Sequence, residues 1–256
     1  MSWSAAQYVN FEVERTRPVR DLLAAVPNTD VKRAIDLGCG PGNSTEVLAA
    51  RYPGAAITGL DNSADMVAAA RKRMPHIQFD LVDLQNWAPG YTYDVILSNA
   101  VLQWVPKHET LMPALLDRLA PGGSLAVQMP DNLEEPAHRL MREVAALPRF
   151  ATKLAGAAGS RSPRRGADWY YRMLKPRAGR VDVWLTLYHH VLPGGPDAVI
   201  EWFKGSGLRP FLAPLDPAET ADYLAAYRVG IAREYPTLPD GSVLLPFPRL
   251  FIVATR

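Results

Sequence analysis

The chain has 256 residues, 48% of them hydrophobic, which is enough to bury the core of one large domain and excludes a disordered or fibrous protein. Lys and Arg number 28 against 26 Asp and Glu, so the net charge of +2 gives no global field of the kind nucleic-acid binders carry. One cysteine, Cys39, excludes an intrachain disulfide, and nothing resembles a Cys/His metal array, so no metal is expected.

The amino-terminal stretch has acids by residue 12 and no apolar signal-peptide core, and no run reaches membrane-spanning length. A cytoplasmic protein with no membrane partner is expected, with residues 1–30 as a helical cap. From residue 33 to 130 short apolar runs alternate with amphipathic stretches. RAIDLG, AITGLD, IQFDLVD, YDVILSNA and GGSLAVQMP read as strands. NSTEVLAARY, SADMVAAARKRM and HETLMPALLDRL read as helices, and Pro121, Gly122 and Gly123 mark the turn into the fifth strand. That alternation predicts an α/β fold with a mostly parallel sheet covered on both faces, and residues 31–130 form its ligand-binding core.

After Pro130 the rhythm changes to a helical stretch, EEPAHRLMREVAAL, and a Gly, Arg and Pro-rich segment over 155–180. Residues 131–180 are therefore read as a helical insertion, a lid over the active site. In 181–256 the strand-like runs VDVWLTLYHHVL and PRLFIVATR are separated by two helices, PDAVIEWFKGS and DPAETADYLAAYRVGIAREY. The two strands are expected to pair antiparallel at the sheet edge.

The stretch DLGCGPGNST runs from a strand through a tight glycine turn into a helix start, an arrangement that points backbone N–H groups at a ligand. Gly38, Gly40 and Gly42 permit positive φ, and Asn43, Ser44 and Thr45 can cap the helix. The spacing is one residue tighter than a dinucleotide fingerprint, and no Lys follows as in a phosphate-binding loop. Acids close three successive segments: Asp36, Asp61 and Asp83. Asp61 is placed to accept both hydroxyls of a ribose, Asp83 suits the exocyclic amine of an adenine, and Asp36 suits a cationic α-amino group. An amine-bearing ligand is favoured over a diphosphate. Cys39 is read as a small apolar filler whose backbone alone meets the ligand.

DLGCGPGNST, GLDNSADM, the Asp-Leu after the third strand and SNAVLQWV together resemble the class I S-adenosylmethionine-dependent methyltransferases, in order over residues 34–105. The resemblance implies a Rossmann-like methyltransferase sheet, S-adenosylmethionine as cofactor and S-adenosylhomocysteine as product. It implies that Asp36 and the Gly38, Cys39, Gly40 and Gly42 backbone hold the methionine part, that Asp61 holds the ribose, and that Asn62 also meets the cofactor. Met66 would pack on the adenine, Asp83 and the Leu84 backbone would read its amine, and Asn99 would sit beside the sulfonium. Met66 reads equally as a core residue of the second helix.

SNAVLQWV lacks the Asn/Asp-Pro-Pro-aromatic turn that an amine in a nucleic acid calls for, so no nucleic-acid partner is expected. A carboxylate acceptor, with an unperturbed pKa of about 4, is ionised at neutral pH and needs cations rather than a base. Arg161, Arg164, Arg165, Arg172, Lys175, Arg177 and Arg180, interleaved with Trp169, Tyr170 and Tyr171, can hold a carboxylate, face RNA phosphates or form a solvated surface. WSAAQYVNFEVERTRPVRDLL, YHHVL, IEWFKGSGLRPFL and LLPFPRLFIVATR resemble, nearly end to end, methyltransferases that esterify one carboxylate of a small unsaturated tricarboxylate. That resemblance implies a small polycarboxylate partner, with Arg161, Arg165, His190, Arg209 and Arg249 as anion clamps. Trp3, Tyr8, Trp104 and Trp202 would wall off water. Trp202 also sits at core spacing with Val199 and Phe203, and Arg209 can serve only to cap a helix. Of the adjacent His189 and His190 one faces inward and the other outward; no general base is required, His190 is the catalytic candidate, and a lone inward His is more often a satisfied core residue than a catalytic group. A malonyl thioester on a carrier protein is the rival acceptor, and a non-catalytic S-adenosylmethionine-binding or RNA-binding protein the rival of another class. A monomer is expected.

Overall fold

A computed structural model describes residues 12–157, 159 and 164–256, so Trp3, Tyr8 and Arg161 lie outside the described residues. The chain divides into two compact units. The first takes the described residues through Pro130, then Arg164–Thr186 and Arg249–Arg256; the second takes the described residues of Asp131–Pro163 and then Leu187–Pro248.

In the first unit, helix α1 (Glu12–Ala24) precedes strand β1 (Arg33–Leu37), followed by α2 (Asn43–Arg51), β2 (Ala56–Asp61), α3 (Ala64–Arg73) and β3 (Gln78–Leu81). Strand β4 (Tyr93–Asn99), helix α4 (His108–Asp117) and strand β5 (Leu119–Pro130) continue the alternation. Helix α5 (Pro136–Ala145) and the short α6 (Pro148–Ala151) follow, then α7 (Ala167–Leu174) and β6 (Arg180–Pro193). Helices α8 (Pro196–Lys204), α9 (Arg209–Leu212) and α10 (Pro217–Glu234) lead to β7 (Ser242–Thr255).

The seven strands take the order β3-β2-β1-β4-β5-β7-β6. Strands β1 to β5 pair in parallel, and β7 runs antiparallel to β5 from Ser124 opposite Thr255 to Pro130 opposite Arg249. Strand order reverses between β1 and β4, and the crevice outside the carboxyl ends of those two strands is where this architecture binds ligands. Leu37, Ile96, Leu125, Val127 and Ile252 pack with Leu115 and Leu116 of α4 in the core on one side of the sheet. Cys39, Val67, Ala70, Met74 and Phe79 form a second cluster around α3.

Five expectations change. Pro121, Gly122 and Gly123 lie inside β5 rather than in a turn before it: Leu119 already pairs with Tyr93, and the register shifts before Ser124 meets Val95. Arg256 holds that irregularity, its carbonyl accepting from Gly122 N and its N–H donating to Gly123 O. Strand β3 stops at Leu81, because Asp83 turns its side chain to the Gln85 N–H at 2.9 Å and starts a 3-10 turn, Leu84–Asn86. Strand β7 starts at Ser242, earlier than expected, and accommodates Pro246 and Pro248. The helix cap expected of Asn43, Ser44 and Thr45 is not made; Gly42 occupies the N-cap at φ +94°, and those side chains bond elsewhere. The segment from Arg164 to 180, expected in the insertion, belongs to the first unit. Tyr170, Leu174 and Ala178 are buried in its core, and the Tyr170 hydroxyl and His108 Nδ1 share a 2.8 Å hydrogen bond.

The second unit is held by α5, α8 and α10. Gly230 of α10 lets Leu140 approach where any Cβ would come within 2.5 Å of its Cδ2. Buried tyrosines of α10 tie the helices together: Tyr223 donates to Met141 O at 2.8 Å and Tyr227 to Ala137 O at 3.1 Å.

Candidate functional site

The loop after β1 is anchored by its own backbone to β2. Gly38 N and Cys39 N both donate to Leu60 O, at 2.8 and 2.9 Å, and Gly40 N donates to Asp61 Oδ2 at 3.0 Å. Gly38 sits at φ +72°, and a Cβ there would meet Val101 Cγ2 at 2.2 Å, so glycine is required on both conformational and steric grounds. The backbone is thereby laid open along one wall of a pocket.

That pocket is lined by Gly38, Cys39, Gly40, Asp61, Asn62, Met66, Asp83, Leu84, Asn99 and Trp104, all expected at the site. Each strand end supplies a part. Asp61 ends β2, half-buried, with Oδ1 accepting from Ser63 N at 2.9 Å. Burial raises its pKa, opposed by the N–H groups of Ser63, Gly40 and Asn62. Met66 is buried on the face of α3 that lines the pocket. Asn99 ends β4 and is buried, and its Oδ1 has no hydrogen-bond partner among the described residues. Trp104 lies half-buried in the 3-10 turn Leu102–Trp104, whose first carbonyl is held 2.8 Å from His108 Nε2.

Asp36 and Gly42 stand behind this wall and do not line it. Asp36 is fully buried, with Oδ2 accepting from Ser44 Oγ at 2.6 Å and Thr45 Oγ1 at 2.7 Å, while Oδ1 has no partner among the described residues. Burial raises its pKa to about 6 against the opposing effect of the two hydroxyls. The enclosed carboxyl ties the end of β1 to the first turn of α2. The Cys39 thiol points into the α3 cluster, and burial pushes its pKa up, so the thiol is an inert filler.

Sequence reasoning missed Ser44, Gln85, Ala100, Val101 and Val105, which also line the pocket. Ala100 is the informative one. Its φ is +56°, unusual for a residue with a side chain, and its N–H donates to Gln128 O at 2.9 Å. The bend turns the chain from Asn99 into the Trp104 turn, and no local sequence signal marks it.

The acceptor candidates are distributed. Arg249 is buried in the first unit, and its Nη1 donates to Gln128 Oε1 at 3.2 Å. Arg165 is exposed, with its guanidinium 5.8 Å from the Trp169 ring centre. Other cations of that segment are paired at the surface: Arg177 with Asp117 at 2.9 Å and Arg180 with Asp182 at 3.4 Å. In the second unit His190 is buried and stacks on Trp202, ring centres 4.6 Å apart, with Phe247 at 5.5 Å. His189 is exposed, so the inward member of the pair is the one expected. Arg209 opens α9, half-buried.

A model of the family described as methyltransferase domain matches residues 34–123. Trans-aconitate 2-methyltransferase of Methylobacterium nodulans is 54% identical over 254 residues, covering 99% of this chain and 98% of the relative. The protein of the same name from Rhizobium meliloti is 52% identical over 256 residues, covering 100% and 99%. Among solved structures, the YcgJ protein of Bacillus subtilis aligns with a TM-score of 0.61 at 11% identity, covering 94% of this chain and 98% of that one. A phosphoethanolamine N-methyltransferase 2 of Haemonchus contortus, in complex with S-adenosylhomocysteine, aligns with a TM-score of 0.57 at 15% identity, covering 94% and 52%. At those identities the two structures speak for the fold alone.

Proposed function

We propose that this chain, which belongs to the trans-aconitate 2-methyltransferase family, transfers a methyl group from S-adenosylmethionine to one carboxylate of trans-aconitate. The observation that carries the reading is one pocket in which the glycine loop, Asp61, Asp83 and Asn99 meet at the carboxyl ends of adjacent strands. S-adenosylmethionine supplies an electrophilic methyl group on a sulfonium. The chain's residues fit it: a backbone wall that tolerates no Cβ at Gly38, a carboxylate at the end of β2, and a buried amide oxygen of Asn99 still open to a partner.

In this reading Asp61 and Asn62 hold the ribose, Met66 covers the adenine, Asp83 and the Leu84 backbone take its amine, and Asn99 lies beside the sulfonium. The acceptor oxygen belongs to a carboxylate already ionised at neutral pH, its unperturbed pKa being about 4, so the chain need supply no general base. Its work is to align the acceptor and exclude water, with Trp104 as a wall of the pocket and Arg249 as the buried cation of the acceptor side. Arg165, of the same unit, is a further cation that the family resemblance suggests for the acceptor. No described helix is long and apolar enough to cross a membrane. A cytoplasmic monomer completes the reading, checked by sedimentation of the purified protein.

The test offers trans-aconitate, cis-aconitate, citrate, a malonyl-carrier thioester and total RNA in parallel with labelled S-adenosylmethionine. Label in a base-labile ester of trans-aconitate supports the reading. Label in the thioester or RNA discards the acceptor and keeps the cofactor.

A further inference from the structure

We propose that Gln128, together with Arg249, forms a carboxylate-binding subsite beside the cofactor pocket, taking an acceptor carboxylate other than the one methylated. The proposal rests on the carboxylate acceptor inferred above and adds a residue that neither the glycine motif nor the arginine clusters reveal.

Placement comes from the sheet. Gln128 of β5 is the register partner of Asn99 on β4 and of Phe251 on β7. Side chains at paired positions leave the same face of a sheet, and neighbouring strands lie about 4.8 Å apart. Asn99 lines the pocket, so Gln128 stands one strand behind the pocket wall on the same face. Arg249 precedes Phe251 by two residues on β7, which returns it to that face, and its Nη1 reaches Gln128 Oε1 at 3.2 Å.

Orientation follows from donor and acceptor chemistry. A guanidinium only donates, so the oxygen of the Gln128 amide must face Arg249. The Nε2 hydrogens then point elsewhere, and Nε2 is buried with no hydrogen-bond partner among the described residues. Gln128 itself is 0% exposed and Arg249 4%. A buried amide N–H without an acceptor is a standing cost that native folds seldom keep without use. The neutral Gln128 oxygen holds the guanidinium by a hydrogen bond and brings no charge of its own, and the free amide hydrogens lie on the same side chain. A carboxylate matches both features: one oxygen accepts from Nε2, and the negative charge meets Arg249. A glutamate at 128 would have neutralised the arginine from within.

The discriminating variant is therefore Gln128→Glu, nearly isosteric and able to form an internal ion pair. Wild type and variant are compared for trans-aconitate KM and kcat, S-adenosylhomocysteine affinity and Tm. The proposal expects KM to rise at least thirtyfold, cofactor-product affinity to stay within twofold, and Tm to hold or rise. Gln128→Met, of similar length and uncharged, serves as the second variant and should raise KM about tenfold or more. Unchanged KM in either folded variant of an active enzyme overturns the subsite and leaves the acceptor intact. A wild-type protein that binds S-adenosylhomocysteine yet leaves trans-aconitate unmethylated overturns the acceptor, and the subsite with it.

Discussion

Gly40 donates its backbone N–H to Asp61 Oδ2 at 3.0 Å, so the residue proposed to hold a ribose also ties the glycine loop to the end of β2. The other oxygen, Oδ1, takes the Ser63 N–H that starts α3. In the proposed reading Asp61 couples loop shape to ligand contact. In Asp61→Asn the single amide oxygen can serve Gly40 or Ser63 but not both. A hydrogen bond to a charged group is worth about 1.5–3 kcal/mol, so affinity for S-adenosylhomocysteine should fall at least about tenfold, with a lower Tm. Calorimetric titration and a melting curve check both; affinity within twofold of wild type would remove Asp61 from the site.

Gly38 admits no side chain. Gly38→Ala places a methyl group against Val101 while demanding φ +72°, and should abolish measurable S-adenosylhomocysteine binding while the protein remains folded. Adding Val101→Ala removes the γ carbons at 2.2 and 2.7 Å but leaves Cβ at 3.0 Å, together with the backbone strain, about 1–2 kcal/mol for a left-handed residue with a Cβ. The double variant should therefore recover part of the affinity, and no recovery would show that the loop collapses for another reason.

Asp36 makes stability depend on pH in an uncommon sense for a carboxyl. Its pKa rises from 3.8 to about 6 on folding, so between those values the folded state holds the proton more tightly than the unfolded chain. This contribution is complete below pH 3.8 and is lost as pH climbs through about 6. Its size is about 3 kcal/mol, since each pKa unit is worth about 1.4 kcal/mol. Urea unfolding at pH 5 and pH 8 should show Asp36→Asn gaining stability relative to wild type at the higher pH. An identical pH dependence in the two proteins would contradict the burial assigned to this carboxyl.

Tyr223 and Tyr227 stabilise the second unit without touching the cofactor pocket. Removing either hydroxyl, as Tyr223→Phe or Tyr227→Phe, leaves a helix carbonyl of Met141 or Ala137 without its side-chain donor. Each should cost about 1–3 kcal/mol of unfolding free energy, with S-adenosylhomocysteine affinity unchanged. A cofactor affinity that moved with either change would show these tyrosines to act on the first unit.

What the sequence disclosed depended on whether the signal was local. The alternation from Arg33 to Pro130, the glycine turn and the acid that ends β2 are legible because periodicity and loop chemistry are written within a few residues, whereas Asp83 lies past the end of β3. Asp36 is legible as an acid near the end of β1, whereas its bonds to hydroxyls eight and nine residues on are not, because no sequence feature tells which way a buried carboxyl turns. Pro121-Gly122-Gly123 looked like a turn because its partner, Arg256, lies at the other end of the chain. The arginines near residue 170 looked like one cluster, although Arg177 pairs with Asp117 sixty residues away. Gln128 carried no signal at all, because its neighbours are set by strand register.

The pocket is proposed to present the sulfonium methyl of its cofactor to a carboxylate. Incubation of the purified chain with S-adenosylmethionine carrying a 13C methyl group and with trans-aconitate, followed by NMR, tests it most directly. A single new methyl resonance bonded to a carboxylate oxygen of trans-aconitate is expected, growing as S-adenosylhomocysteine forms and vanishing on mild alkaline hydrolysis. A protein that binds S-adenosylhomocysteine with no such resonance, or a methyl group bonded to carbon or nitrogen, would contradict it.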